Sequence, residues 1–276
     1  MVNKYQLESW TIYPLNDGYI DLDQRVIFNI PPSNLRKLLP NENFILSTQV
    51  YAYLIDTGDE LVLVDTGCGT QLGPTAGKLS RELKIIGYDP TQISQILITH
   101  LHVDHISGLP LFPEATIYVP AVEALYWRDP MQEAKANAFD RPRFSLAKQM
   151  LLPFESQGHL NLIHPGDSIF PGIQAIEACG HTPGHMAFLV GPPGSQCLLW
   201  GDIINSPFVQ FDHPTWPVAV DINPEEGVRS RMLLLEKAAD EHLLVGGAHL
   251  PLPGLGYISR VDHHFTYTPE LRIDFP

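Results

Sequence analysis

The chain has 276 residues, 44% of them hydrophobic, which is enough apolar material for a large core and too much for a disordered segment. Its 17 basic against 31 acidic residues leave a net charge of −14 with no Lys/Arg cluster, so a nucleic-acid backbone meets repulsion over most of the surface. No run approaches transmembrane length, and Met1 to Trp10 contains no apolar signal-peptide core. The three cysteines, Cys68, Cys179 and Cys197, are odd in number and lack CxxC spacing, so they read as reduced thiols of a cytoplasmic protein.

In chain order, strand-like runs fall at 6–13, 47–55 and 61–65, with alternation visible in Tyr51-Ala52-Tyr53-Leu54-Ile55. Asp56-Thr57-Gly58 is followed at once by Asp59-Glu60 and reads as a hairpin turn. A helical pattern covers about 74–86, and strands follow at 93–99 and 116–119. Helical patterns at 120–128 and 131–150 lead into Pro- and Gly-containing turns, so residues 130–172 read as a helical insertion. Strands are expected at 173–179, 186–190, 196–201 and 243–247, and a helix at 225–240 opens after Asn223-Pro224. Residues 265–269 read as a short extended tail. Strands alternating with helices predict layered α/β structure, and no low-complexity linker divides residues 1–276, so one domain is expected.

Chemistry concentrates where apolar runs stop. Ile93 to Ile98 leads into Thr99-His100-Leu101-His102-Val103-Asp104-His105. Later, His181-Thr182-Pro183-Gly184-His185 follows Ile173 to Ala178, Gly201-Asp202 follows Cys197 to Trp200, and Ala248-His249 follows Leu243 to Gly247. Imidazole nitrogen and carboxylate oxygen are ligands that divalent metals accept. A lone histidine on an apolar strand is more often a packed core residue. Four polar strand ends in one chain, each with a desolvation cost, point instead to strands delivering metal ligands to one edge. His181 reads as a turn-shaping or supporting residue, and His159, His164, His213, His242, His263 and His264 as surface or loop positions. Cys68 and Cys179 read as packing residues.

The pattern His100-X-His102-X-Asp104-His105, then His185, Asp202 and His249, resembles the metallo-β-lactamase superfamily. The resemblance implies a four-layer αββα sandwich and two metal ions. It places His100, His102 and His185 on the first ion and Asp104, His105 and His249 on the second, with Asp202 bridging. Asp65-Thr66-Gly67 resembles the family's early aspartate turn, and Asp65 is expected to orient one of the first-motif histidines. Asn16-Asp17-Gly18 resembles its N-terminal strand opening. Within the superfamily, Leu61 to Leu72, Gly87 to Pro90, Phe208 to Asp212 and His249 to Gly254 are similar to the methyl parathion hydrolase group, which also implies a homodimer.

The implied activity is hydrolysis of a small apolar ester, lactone or organophosphate triester, by hydroxide held between two divalent ions about 3.5–4 Å apart. Zinc is the first expectation, and iron, manganese or cobalt accept the same ligands. Asp104 and Asp202 are expected to offset metal charge and collect a proton. The superfamily's lactonases carry a tyrosine where Asn205 stands here, so Asn205 is the expected oxyanion donor. An acyl-homoserine-lactone hydrolase and an iron-dependent sulfur dioxygenase are the alternative activities. Tyr126, Trp127, Phe139, Phe144, Phe208 and Trp216 are candidates for an apolar substrate wall, with core packing the commoner role for each.

Overall fold

A computed structural model describes residues 3–23, 45–138 and 140–270. Val50 to Ile55 is buried on both faces, as a strand must be when a second sheet packs on one side and helices on the other. It lies in β3 (Ile45–Asp56), third in a seven-stranded sheet that also contains β1 (Tyr5–Leu7), β2 (Trp10–Asp23), β4 (Leu61–Val64), β5 (Gln95–Leu97), β6 (Thr116–Pro120) and β7 (Leu160–Ile163). These strands lie side by side in chain order, antiparallel as far as β4 and parallel from β4 to β7.

A second seven-stranded sheet repeats the arrangement in chain order, from β8 (Ser168–Phe170) through β9 (Ile173–Glu177), β10 (Met186–Val190), β11 (Cys197–Leu199), β12 (Leu244–Gly246) and β13 (Leu255–Val261) to β14 (His264–Pro269). Only the β11–β12 pair is parallel. Tyr53, Ile55, Val62 and Leu97 of the first sheet pack against Phe188, Val190, Leu199 and Leu244 of the second, which makes the inter-sheet core.

Helices cover both outer faces. α1 (Leu79–Ile85), α2 (Val103–Ile106), α3 (Ala121–Tyr126) and α5 (Arg141–Gln157) contribute to an apolar cluster with Leu54, Leu63 and Ile117 of the first sheet. α7 (Pro224–Asp240) sets Leu234, Leu235 and Ala238 against Leu198 and Val245 of the second. The expected αββα sandwich is the observed fold. Two short helices, α4 (Pro130–Lys135) and α6 (Pro207–Gln210), complete the set among the described residues. Among the described residues no helix is long and apolar enough to cross a membrane.

The differences from expectation have local causes. The first expected strand divides into β1 and β2, because Glu8 takes a left-handed turn at φ 53°. Helix 74–86 shortens to α1, since buried Asp17 accepts the backbone N–H groups of Cys68, Gly77 and Leu79 and fixes the approach to it as a loop. The helix expected at 131–150 divides into α4 and α5. Ala136 is extended, and Pro142 in the first turn of α5 supplies a fresh start. The tail at 265–269 is extended as expected and paired, because it is β14 against β13.

Candidate metal centre

The carboxyl ends of β4, β5, β9, β11 and β12 meet at one edge of the sandwich, so residues distant in sequence arrive together. After β5 the chain passes through His100 and His102, then turns into α2, which carries Asp104 and His105. His181 follows β9, Asp202 follows β11 and His249 follows β12. Ligand-capable atoms of His100, His102, His181 and Asp202 all lie within 4.8 Å of one another, and those of Asp104, His105 and His249 form a second such group. All seven residues are buried.

Asp202 joins the groups. Its Oδ2 is 3.2 Å from Nε2 of both His181 and His249, and its Oδ1 is 3.0 Å from His105 Nε2. His249 Nε2 is also 3.4 Å from Asp104 Oδ2.

The outward ring nitrogens are held by acceptors that fix the tautomer. His105 Nδ1 donates to Asp65 at 2.7 Å, His181 Nδ1 to Asp221 at 2.9 Å, and His249 Nδ1 to the Gln49 carbonyl at 2.8 Å. Such bonds leave each Nε2 lone pair turned inward, as metal-binding imidazoles require. Asp65 also accepts from the Thr99 amide and hydroxyl, both at 2.8 Å, and the same hydroxyl is 3.1 Å from His100 Nδ1. Asp65 therefore does meet a first-motif histidine, His105. Asp221 accepts in turn from Arg231 at 3.4 Å.

The donor set fits divalent metal. Among the described residues, His100 Nε2 is buried and makes no hydrogen bond, and His105 Nε2 and Asp202 Oδ1 meet only each other, at 3.0 Å, a costly state that two cations at these positions would relieve. Without a cation, burial holds His100 and His102 well below the usual histidine range. At His105 burial acts downward too, but Asp202, Asp65 and Asp104 outweigh it and raise that imidazole well above its ordinary value. Two groups of His and Asp thus fit two divalent ions.

Two imidazoles of the 181–185 segment face the first group, with the His181 and His185 rings each 4.9 Å from the His100 ring. His185 Nδ1 donates to the Ala178 carbonyl at 2.9 Å, which turns Nε2 inward, 3.2 Å from the Asp202 backbone nitrogen. Burial holds it neutral, at about 3. Asn205 lies in the cavity beside the cluster, and its amide donates to Asp202 Oδ2 at 3.0 Å. The expected oxyanion donor is therefore engaged with the central aspartate.

That cavity, about 340 Å³, is bounded by His102, Asp202, Asn205 and His249 with Leu72 and Val220. Arg143, absent from the sequence-based candidates, is on its wall, with Nη1 3.3 Å from His102 Nε2 and 3.0 Å from Asp140. A larger groove of about 770 Å³ opens on the other side of His249, between Phe208, Leu250 and Phe265. Of the proposed aromatic wall, Trp127 and Phe144 are core residues, and Tyr126 packs partly buried against both. Trp216 stacks on His213, Phe208 lines the larger groove, and Phe139 lies outside the described residues.

Comparison with known proteins agrees with this geometry. A profile described as the metallo-beta-lactamase superfamily matches residues 47–249. N-acyl homoserine lactonases of Bacillus thuringiensis are 30% identical over 176 residues, covering 56% of this chain. The chain spans 63% of the length of these curated relatives. A crystal structure of a hydrolase named AbOPH, described as in the beta lactamase superfamily, superposes with a TM-score of 0.92 at 30% identity, covering 99% of this chain and 98% of that one. A dizinc quorum-quenching lactonase, AidC, has the same fold, with a TM-score of 0.90 at 23% identity over 99% of this chain and 98% of its own.

Proposed function

This chain belongs to the metallo-beta-lactamase superfamily, and from that premise we propose that it is a dinuclear metal-dependent hydrolase of small apolar lactones and esters. The observation that carries the reading is Asp202, set between two buried ligand groups and within 3.2 Å of His181 and His249 at once. His100, His102 and His185 would hold one ion with His181 beside it, Asp104, His105 and His249 would hold the other, and Asp202 would serve both. When bound, such ions supply Lewis-acid polarisation and an activated water.

The chain's own residues do the rest. Asp65, Asp221 and the Gln49 carbonyl aim three imidazoles inward, and Asn205 steadies Asp202. Leu72 and Val220 line the adjoining cavity with apolar surface, which suits a substrate with an acyl or alkyl portion. Similarity to N-acyl homoserine lactonases favours a lactone as the first substrate class, and zinc is the metal proposed, by analogy with the dizinc lactonase of the same fold. Organophosphate triester hydrolysis, suggested by the methyl parathion hydrolase-like segments, is proposed as a side activity.

The test is elemental analysis of protein purified without added metal, alongside a panel of an aryl ester, a simple lactone, an N-acyl homoserine lactone and a phosphotriester. About two ions per chain with chelator-sensitive turnover, fastest on lactone or ester, is the expected result. One iron per chain and an inert panel would overturn the reading in favour of oxygen chemistry. A triester preferred over every lactone and ester would reverse the order of activities.

A further inference from the structure

Glu123 is a fully buried carboxylate that takes no direct part in either ligand group. It lies in α3, behind the cluster, and every partner it has there is a neutral donor. Oε1 accepts the Gly184 backbone N–H at 2.7 Å. Oε2 accepts the Leu101 backbone N–H at 3.1 Å and the Trp127 indole N–H at 2.8 Å. Burial raises its carboxyl above the usual range, while these bonds pull it down again.

The positions of those donors matter more than their number. Leu101 lies between His100 and His102, while Gly184 lies between His181 and His185 and directly precedes the latter. The two segments come from different sheets, and one carboxylate spans them. The third donor, Trp127, packs edge-on against the His102 ring at 5.7 Å between centroids. The helix also lies close to the second segment, since a Cβ built on Gly184 would lie 2.5 Å from the Glu123 nitrogen. A structural carboxylate needs only to satisfy its own burial. This one satisfies it with groups next to His100, His102 and His185.

We propose that Glu123 is the positioning residue of the first metal group, holding the 100–102 and 181–185 segments at the separation their imidazoles need to share one ion. It acts through backbone and indole N–H groups and touches neither metal nor substrate. The inference rests on the dinuclear reading above.

The decisive variant is Glu123→Gln. The amide keeps the shape but has one acceptor and one donor end, so one end must face an N–H group whichever way it is turned. Either the Gly184 anchor or the Leu101 and Trp127 anchors are lost. Zinc-loaded wild type and E123Q are titrated with a chromogenic chelator, with circular dichroism to confirm folding. The expected result is that one of the two ions is released with about 10–100-fold weaker affinity, the range for loss of a group supporting a metal ligand, while the other is held as in wild type. Two ions held as tightly as in wild type would overturn the proposal. Wild type that binds fewer than two ions strikes at the dinuclear reading itself and takes this inference with it.

If E123Q does not fold, amide exchange by NMR on metal-free wild type decides the question. Leu101 and Gly184 amides protected without metal support the anchor. Their exchange at the rate of open loops would overturn it, because the ion and not Glu123 would then hold the segments.

Discussion

His181 and Asp221 form a buried pair, Nδ1 to Oδ1 at 2.9 Å, with the opposite nitrogen of the ring 3.2 Å from Asp202. Forty residues separate them in the chain, and Arg231 of α7 holds Asp221 from behind. This pair fixes the ring of the first of the two histidines of the HTPGH segment beside the metal group.

The first prediction separates those two histidines. His185→Ala lowers bound metal from about two ions towards one and abolishes turnover, whereas His181→Ala keeps both ions. His185 Nδ1 is held by the Ala178 carbonyl with Nε2 turned inward, while His181 is paired between Asp221 and Asp202, so loss of His181 appears as lowered thermal stability. Metal content of the two purified variants checks the prediction, and the reverse assignment of losses would refute it.

Asp221→Asn and Asp65→Asn test the outer bonds. Each removes a carboxylate from the far side of a ligand-capable imidazole, His181 in one case and His105 in the other. Metal affinity falls about 10–100-fold in each variant. Competition against a chelator reads both, and unchanged release curves would remove these carboxylates from the metal centre.

Gly201→Ala tests the approach to Asp202. Gly201 has φ +56°, and a Cβ there would lie 2.5 Å from His185 Nε2 and 3.0 Å from the Thr99 side chain. Backbone strain alone costs about 1–3 kcal/mol, and the clash pushes Asp202 away from the place where the groups meet. Lower thermal stability together with weakened binding of both ions is expected. An unaltered melting temperature would show that the neighbours yield.

The thiols give a prediction independent of metal. Burial pushes Cys68 and Cys197 far above the ordinary thiol range, and burial, with Glu177, Glu226 and Glu123 nearby, takes Cys179 to about 11. At pH 8 the thiolate fraction of Cys179 is then about 100-fold below that of a thiol at its ordinary value. Mass spectrometry after iodoacetamide treatment should find Cys68 and Cys197 unmodified in the folded protein and Cys179 modified slowly. Rapid labelling of either buried thiol would contradict the packing.

Much of this was legible in sequence because the ligand-capable residues sit where apolar runs stop, a signal in the one-dimensional pattern. His100, His102, Asp104, His105, Asp202 and His249 are all gathered at one sheet edge. The place of His181 beside these ligands was not legible, because Asp221, which holds it there, is delivered by a loop whose sequence has no periodicity. Glu123 was hidden for a similar reason: an acidic residue in a short amphipathic helix reads as solvated until the segments it bonds are in place. Helix ends at 74–86 and 131–150 shifted because Asp17 and Pro142 act on the backbone, one from a distant strand and one locally.

Each sheet is a continuous stretch of chain, β1 to β7 ending at Ile163 and β8 to β14 beginning at Ser168, joined by an exposed turn from His164 to Asp167. Both metal groups draw on the two stretches: His100 and His102 meet His181 and Asp202, and Asp104 and His105 meet His249. Bound ions would therefore work as rivets between two half-proteins. A chain nicked in the 164–167 turn should stay together and active while loaded, and a chelator should do to it what it cannot do to the intact chain: let the halves drift apart.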